Sequence, residues 1–134
     1  PSNELSARVM PIFRWKIEPG DYGDVRKHFV VTISTPNDAI ASLEYVEIWV
    51  YYDSAYSVIA AGSIGGIYEP LVFRKPATIT IIIPVNLWFE PNRSYYLELR
   101  TLVSGFTSGK TILKVGVDSG MASQTLAVKG ALKN

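Results

Sequence analysis

The chain has 134 residues, a hydrophobic fraction of 48% and a formal net charge of +1, which suits one globular domain with its own core. Its basic residues are scattered, so nothing in the sequence supports nucleic-acid binding. The absence of Cys excludes disulfides and thiolate metal sites, and no apolar run reaches the roughly 18 residues that a membrane-spanning helix needs. The many Ile, Val and Tyr residues favour pleated sheet, and with little Gln they suit a heat-adapted source.

The first half of the chain alternates apolar and polar residues at the two-residue period of β-strands. This pattern predicts strands over residues 8–18, 25–34 and 44–52. Turn-forming residues fill positions 19–24 between the first two strands. Residues 39–43 are predicted to form a single helical turn that leads into the third strand.

The second half continues the pattern, and the alternation is strongest over residues 77–85. Residues 95–103 and 111–117 are predicted to form a hairpin. Three weaker elements precede the strong strand: a short strand at residues 58–61, a flexible glycine loop at 62–66, and an edge strand at 67–73 that contains Pro70.

The number and spacing of these segments predict the fold class for a single domain over residues 1–134. Seven or eight short strands, with turn signals at intervals of roughly 8–12 residues, are typical of an all-β sandwich. A closed barrel is the alternative, because alternation alone does not separate the two. The tail after Gly120 either adds an edge strand, supplies a strand to a neighbouring molecule, or is loose.

A short segment before the predicted hairpin resembles the tyrosine corner of immunoglobulin and fibronectin type III domains. Pro91 follows Phe89 by two positions, and Tyr95 comes four positions later, ahead of the alternating Leu97 and Leu99. The resemblance implies an immunoglobulin- or fibronectin III-like β-sandwich in which the Tyr95 ring covers the core and its hydroxyl bonds to the backbone upstream. Leu97 stands where true immunoglobulin domains carry their second Cys. The alternative is an ordinary strand that begins with two tyrosines.

Catalytic and metal-binding patterns are weak in this sequence. The lone His28 alternates with Phe29 and is predicted to face solvent or a strand neighbour, and the twelve carboxylates follow no pattern. We therefore expect no enzymatic activity and no cofactor. Asp21 and Asp24 could bind calcium together with Asp53 or Asp118, but roles in turns are favoured for them.

Asn92 begins an Asn-Arg-Ser sequon in a predicted exposed turn. If the chain is exported, this sequence makes Asn92 a candidate site of N-glycosylation.

The third predicted strand carries large residues on both of its faces. If Val46, Ile48, Val50 and Tyr52 fill the core, the alternate residues point outward, beside the outward residues of the predicted hairpin. Trp, Tyr and Arg dominate binding hot spots, and an exposed apolar patch marks an interaction surface. The alternatives are that the faces are reversed, which would bury Trp49, or that a loop covers them. The predicted interaction face consists of Tyr45, Trp49, Tyr51, Tyr96, Arg100, Leu102 and Ile112.

Residues 87–105 place a Pro-containing turn before a Tyr-rich strand that ends in Thr101-x-x-x-Gly105. This segment resembles the accessory proteins of the archaellum, of the F and G type. The resemblance implies an external β-sandwich with an N-terminal membrane helix, which anchors the motor to the surface layer, often as a dimer. Because the chain begins with Pro1 and not Met, we expect that such an anchor has been removed and that any membrane contact is made through it.

Three functions follow as hypotheses. The first is a non-catalytic structural domain of the cell envelope, whose partner is a surface-layer or filament component or a second copy. The second is a structural protein of an archaeal virus particle. The third is a carbohydrate-binding module that uses Trp49 and Tyr51 as a sugar-stacking platform. A hydrophobic helix upstream, neighbouring viral genes, or polysaccharide binding that Trp49→Ala abolishes would separate them.

Overall fold

The computed structural model describes residues 8–35, 41–74, 76–104, 112–118 and 123–129. These residues are all-β, as predicted, and contain no helix. They form nine strands instead of seven or eight: β1 (Arg8–Ile17), β2 (Asp24–Thr35), β3 (Ala41–Tyr51), β4 (Ile59–Ile67), β5 (Leu71–Phe73), β6 (Ala77–Phe89), β7 (Tyr95–Ser104), β8 (Ile112–Asp118) and β9 (Ser123–Lys129).

The strands form two antiparallel sheets, an arrangement consistent with a β-sandwich. The first sheet has the order β1-β7-β3-β4, with β5 paired to the end of β3. The second sheet has the order β6-β2-β8-β9. Strand β4 packs against β6 along one side, and β1 approaches β8 and β9 along the other.

The core lies between the inward faces of the two sheets. The inward residues of β3 are Val46, Ile48 and Val50, which are fully buried, so the predicted orientation of this strand is confirmed. From β1, the Trp15 ring meets the ring of Phe29 on β2 edge to face, with centroids 5.7 Å apart. Each such buried apolar side chain contributes about 1.5–3 kcal/mol through removal from water.

The predicted alternation of β2 fails at its start. The pattern of residues 25–34 predicts that Val25 shares the core face with Phe29, but Val25 is exposed. The register between β2 and β6 shifts between Arg26 and His28, which marks a β-bulge. At this irregularity two residues of β6 lie opposite one residue of β2, and the alternation of β2 changes phase, which places Val25 on the solvent side.

The predicted hairpin of residues 95–103 and 111–117 is wrong. Strand β7 pairs with β1 and β3, whereas β8 pairs with β2 and β9. Ile112, which begins β8, therefore belongs to the second sheet and does not extend the predicted interaction face; its side chain lies outside the described part of the chain. A connection between neighbouring segments can either return within a sheet or cross to the opposite sheet, and alternation is the same in both cases.

Two other segments were predicted as non-strand and are strands. Residues 41–43 begin β3, while residues 39 and 40 lie outside the described residues. The glycine segment 62–66 lies within β4. A Cβ at Gly65 would overlap the carbonyl oxygen of Pro84 and lie 2.9 Å from Cγ1 of Val85. Glycine at this position therefore allows β4 to approach the backbone of β6, which accounts for a strand that propensity disfavours.

None of the described segments contains a helix with the length and apolarity needed to cross a bilayer.

Candidate functional site on the outer face of the first sheet

The solvent side of the first sheet, called here the outer face, collects aromatic and charged side chains from three strands. Register pairs Trp49 of β3 with Glu98 of β7, and Glu98 in turn with Arg14 of β1. Six of the predicted interaction residues meet on this face: Tyr45, Trp49, Tyr51, Tyr96, Arg100 and Leu102. Arg14, Lys16, Glu47 and Glu98 lie on the same face.

Glu98 is the charged centre of the outer face. Glu98 is only 2% exposed, although it lies on the side of the sheet that faces solvent. Arg14 contacts one carboxylate oxygen at 2.9 Å through Nε and 2.8 Å through Nη2. Arg100 donates to the other oxygen at 3.0 and 2.8 Å through the corresponding nitrogens. Both oxygens are thus paired, which offsets the cost of desolvating the carboxylate.

Arg100 connects this charged centre to the aromatic residues. Its guanidinium lies 4.2 Å from the centroid of the Trp49 ring, a cation–π arrangement. It also donates a hydrogen bond to the hydroxyl of Tyr51. Burial alone lowers the pKa of Arg100, but the hydrogen bond and charge of Glu98 outweigh burial and raise this pKa above its usual value. The guanidinium is therefore held in one geometry by three neighbours.

Tyr56 covers one end of the outer face from the loop after β3. Its ring meets those of Tyr51 and Tyr96 edge to face, with centroid distances of 5.5 and 6.2 Å. The Arg14 guanidinium lies 4.2 Å from the centroid of the same ring. Tyr51 was predicted to be exposed, but it is only 5% exposed because Tyr56 and Arg100 pack over it. Burial also raises the pKa of Tyr56.

Asp53 fixes the turn that carries Tyr56. One carboxylate oxygen accepts hydrogen bonds from the backbone amides of Ser57, at 3.0 Å, and Val58, at 2.8 Å. The other oxygen accepts one from the hydroxyl of Ser57. The hydroxyl bond first, and then the Val58 amide, stabilise the ionised form and lower the pKa of Asp53. These bonds add to the backbone hydrogen bond of 3.1 Å from the Tyr56 amide to the Asp53 carbonyl in holding the turn.

Glu47 organises the opposite end of the outer face. It accepts hydrogen bonds from Nε1 of Trp49 at 3.2 Å and from the hydroxyl of Tyr68 at 2.8 Å. The exposed Tyr68 ring lies against that of Tyr45, with centroids 6.1 Å apart. Its hydrogen bond to Glu47 raises the pKa of Tyr68. An exposed Val9 lies opposite Leu102 and extends the apolar surface at this end.

Tyr95 lies at the start of β7 and points to the core side of the sheet. It is buried, and its hydroxyl accepts a hydrogen bond of 2.9 Å from the backbone amide of Glu90. Its ring packs edge to face on Phe89 with centroids 4.8 Å apart. This upstream bond to the backbone is the geometry that the tyrosine-corner resemblance implies, and it closes the turn between β6 and β7.

The sequon residue Asn92 is exposed in that same turn, with a backbone φ of 56°. The backbone N–H of Asn92 donates a 2.7 Å hydrogen bond to the backbone carbonyl of Gly20, which connects the β6–β7 turn to the β1–β2 turn. Between the two turns lies an open, shallow cavity of about 310 Å³ that is lined in part by Arg93 and Glu18. The Arg93 guanidinium already lies 3.6 Å from the centroid of the Tyr52 ring and 3.3 Å from Glu90.

The described part of the chain contains no cluster of side chains that would bind a metal ion. No three His, Asp or Glu side chains of these residues lie together as a metal site requires. The calcium alternative involved Asp118, whose side chain lies outside the description. His28 is exposed on β2.

A comparison with protein-family models, curated proteins and solved structures finds no match to this chain. The function proposed below is therefore inferred from the geometry of the outer face.

Among the contributors to this face that were not predicted as site residues are Arg14, Tyr56, Tyr68 and the buried, paired Glu98. Alternation places Glu98 outward and Arg14 on the polar side of its strand, so a partial signal existed. The missing information was that β1 lies beside β7, because periodicity does not specify strand neighbours. Tyr56 carried no signal, since it lies in a loop.

Tyr95→Phe should lower the free energy of unfolding by about 0.5–1.5 kcal/mol, because the Glu90 amide loses its acceptor while the ring remains. Urea unfolding monitored by circular dichroism measures this change. Tyr22→Phe is the matched control, since Tyr22 is 92% exposed, and it should leave stability unchanged. Equal stability of the two variants would show that the hydrogen bond to the Tyr95 hydroxyl does not stabilise the fold.

Acidification should release the Tyr56 turn. Because the folded-state pKa of Asp53 is lowered from its usual 3.8, its stabilising contribution is present above that value and is lost as the pH falls through the lower, folded-state pKa. Carboxyl carbon-13 NMR should give Asp53 a pKa below 3.8, and the ring signals of Tyr56 should move with the same midpoint.

Asp53→Asn is the control for this titration, because it keeps a neutral acceptor and removes the ionisation. In this variant the Tyr56 signals should no longer follow that midpoint. An Asp53 pKa at or above the usual value would contradict the role assigned to its hydrogen bonds.

Proposed function

We propose that this chain is a non-catalytic, extracellular interaction domain that docks a protein partner through the outer face of its first sheet. The observation that carries the proposal is a continuous aromatic surface whose charged groups are already paired with one another. Trp49 and Arg100 stack at its centre, and Glu98 joins Arg100 to Arg14. Trp, Tyr and Arg are the residue types that dominate protein interfaces.

Internal pairing removes the main obstacle to covering such a face. A charge buried beneath a partner is costly if it loses water without gaining a counter-charge. On this face Glu98 is already desolvated between two guanidinium groups, and the Glu47 carboxylate already accepts two hydrogen bonds. A partner can therefore cover the aromatic rings without creating an unpaired buried charge.

The charge balance is compatible with docking of a second copy. The positive charges of Arg14, Arg100 and Lys16 are matched by the negative charges of Glu98, Glu47 and Glu18, and Lys16 pairs with Glu18 at 2.6 Å. A face without a surplus of either sign does not repel its own copy. A homodimer is thus one form of the proposed interaction, and a surface-layer or filament component is the other.

The resemblance to the archaellum accessory proteins supports the cellular setting that we propose, in which the domain stands outside the cell and links a filament motor to the envelope. If the chain instead belongs to an archaeal virus particle, the same face would contact a neighbouring subunit. Both settings use the domain as a structural connector, so they share the test given below.

Within this proposal, the central strands are related to those of immunoglobulin- and fibronectin III-like domains. The pairs β2–β6 and β3–β7 match the B–E and C–F pairs of that fold, and Tyr95 begins the strand that corresponds to F. Strand β8 departs from the pattern, since an immunoglobulin domain would place it beside β7. The relationship therefore concerns the central strands and not the flanking ones.

The carbohydrate platform of Trp49 and Tyr51 is disfavoured by the geometry. Arg100 stacks on the Trp49 ring, and Tyr51 is only 5% exposed beneath Tyr56. A sugar would need to displace these contacts before it could stack on either ring.

Trp49→Lys and Leu102→Lys should each weaken docking, because each places a charge without a counter-charge at the interface. Ile82→Lys is the control: it places the same charge on the solvent side of the second sheet, on β6, where Ile82 is 61% exposed. Sedimentation over a range of concentrations measures self-association, and incorporation of tagged chains into the source cell surface or particle measures docking to other subunits.

We expect both outer-face variants to remain folded and to lose association or incorporation, while Ile82→Lys behaves as wild type. If Trp49→Lys and Leu102→Lys are folded and are unchanged in both assays, the outer face is not the docking surface.

A further inference from the structure

The second sheet carries an exposed tryptophan far from the aromatic rings described above. Trp88 lies near the end of β6 on the solvent side of the sheet and is 51% exposed. Its neighbour across the strand pair is Val25 of β2, which is also exposed. A half-exposed indole is unusual on a surface that gains nothing from it, because burial of its ring would be favourable.

The indole is held in place from below. Gly23 has a backbone φ of 72°, and a Cβ at this position would overlap the six-membered ring of Trp88. The same Cβ would lie 2.7 Å from the carbonyl oxygen of Phe89. Only glycine allows the loop before β2 to lie so close to the ring. The exposed part of Trp88 is therefore presented in a fixed position, which lowers the entropy cost of binding.

Hydrogen-bonding groups border the exposed ring. Asn86 lies two residues before Trp88 on the same side of β6 and is exposed. Its side-chain oxygen accepts a 2.9 Å hydrogen bond from Nζ of Lys27, which lies where the register between β2 and β6 shifts. The Lys27 ammonium and the Asn86 amide retain further donors that this one bond does not use. A flat apolar surface thus lies beside a small cluster of exposed donors.

We propose that Trp88 is a binding platform for a neutral hexopyranose unit of a glycan, with Lys27 and Asn86 as the hydroxyl-binding groups. The C–H bonds on one face of a pyranose carry slight positive charge and pack on the negative face of an aromatic ring. The sugar hydroxyls at the ring edge require hydrogen-bond partners, which the Lys27–Asn86 pair supplies. Tyr22, immediately before Gly23, is 92% exposed and offers a second ring to a longer chain.

Two other ligand classes fit this patch less well. A stable protein interface buries about 800 Å² on each partner, far more than one indole and its neighbours offer. A single-stranded nucleic acid also stacks its bases on aromatic rings, but it requires a basic groove along its backbone. Arg26 pairs with Asp24 at 2.7 Å and lies opposite Leu87, on the other side of the sheet from Trp88, and Lys27 alone does not form a basic groove. A neutral ligand with both an apolar face and hydroxyl groups matches what remains.

The proposal is independent of the outer face, because the platform lies on the opposite sheet. It is tested by electrophoresis of the full chain in native gels that contain barley β-glucan, xylan, mannan or glycol chitin. We expect at least one polysaccharide to retard the wild-type chain. Trp88→Ala should raise the dissociation constant about tenfold, the equivalent of one aromatic stacking contact. Val72→Ala, the control on β5 of the other sheet at a residue that is 43% exposed, should change it less than twofold.

Asn86→Ala keeps the Trp88 ring and changes an exposed residue, so it should not affect folding. It should weaken binding less than Trp88→Ala does, and it serves as a second test if Trp88→Ala fails to fold. The proposal is overturned if none of the four polysaccharides retards the wild-type chain, or if Trp88→Ala is folded and retarded as strongly as wild type. Binding of the oligonucleotide dT20 that depends on Trp88, without retardation by a polysaccharide, would assign the platform to nucleic acid and would also overturn it.

Discussion

The side chain of Glu98 holds three strands of the first sheet together from the solvent side. Arg14 reaches it from β1 and Arg100 reaches it along β7, while Trp49 of β3 stacks on Arg100. Because a desolvated carboxylate is costly without partners, loss of either guanidinium would affect the rest of the cluster. The arrangement therefore links the order of the strands to the shape of the outer face, and the proposed docking surface depends on it.

Opposite sides of β7 perform different tasks because side chains alternate along a strand. Tyr95, Leu97 and Leu99 point to the core and are buried. The intervening residues point outward, where Glu98 and Arg100 form the charged centre. The hydrogen bond from the Glu90 amide to Tyr95 fixes where β7 begins, and so determines which residues face each way. The tyrosine corner thus determines which side chains of β7 lie on the outer face along the whole strand.

Alternation predicted most of the strands, and for β3 it left two orientations open, of which the structure has the one that buries Val46 and Ile48. Strand neighbours were not predictable in this way, which is why β8 was assigned to the wrong sheet and the contact of Arg14 with Glu98 was missed. Gly65 shows a third limit: a residue that propensity assigns to loops is required in a strand by close packing against β6.

The central claim is that a protein partner covers the outer face. Hydroxyl-radical footprinting of the assembly in its source, compared with the isolated domain, tests this most directly because it measures side-chain exposure. The account predicts that Trp49, Tyr68 and Leu102 lose reactivity in the assembly, while Ile82 on the opposite sheet keeps its reactivity. Equal reactivity of Trp49, Tyr68 and Leu102 in the assembled and isolated states would contradict the account.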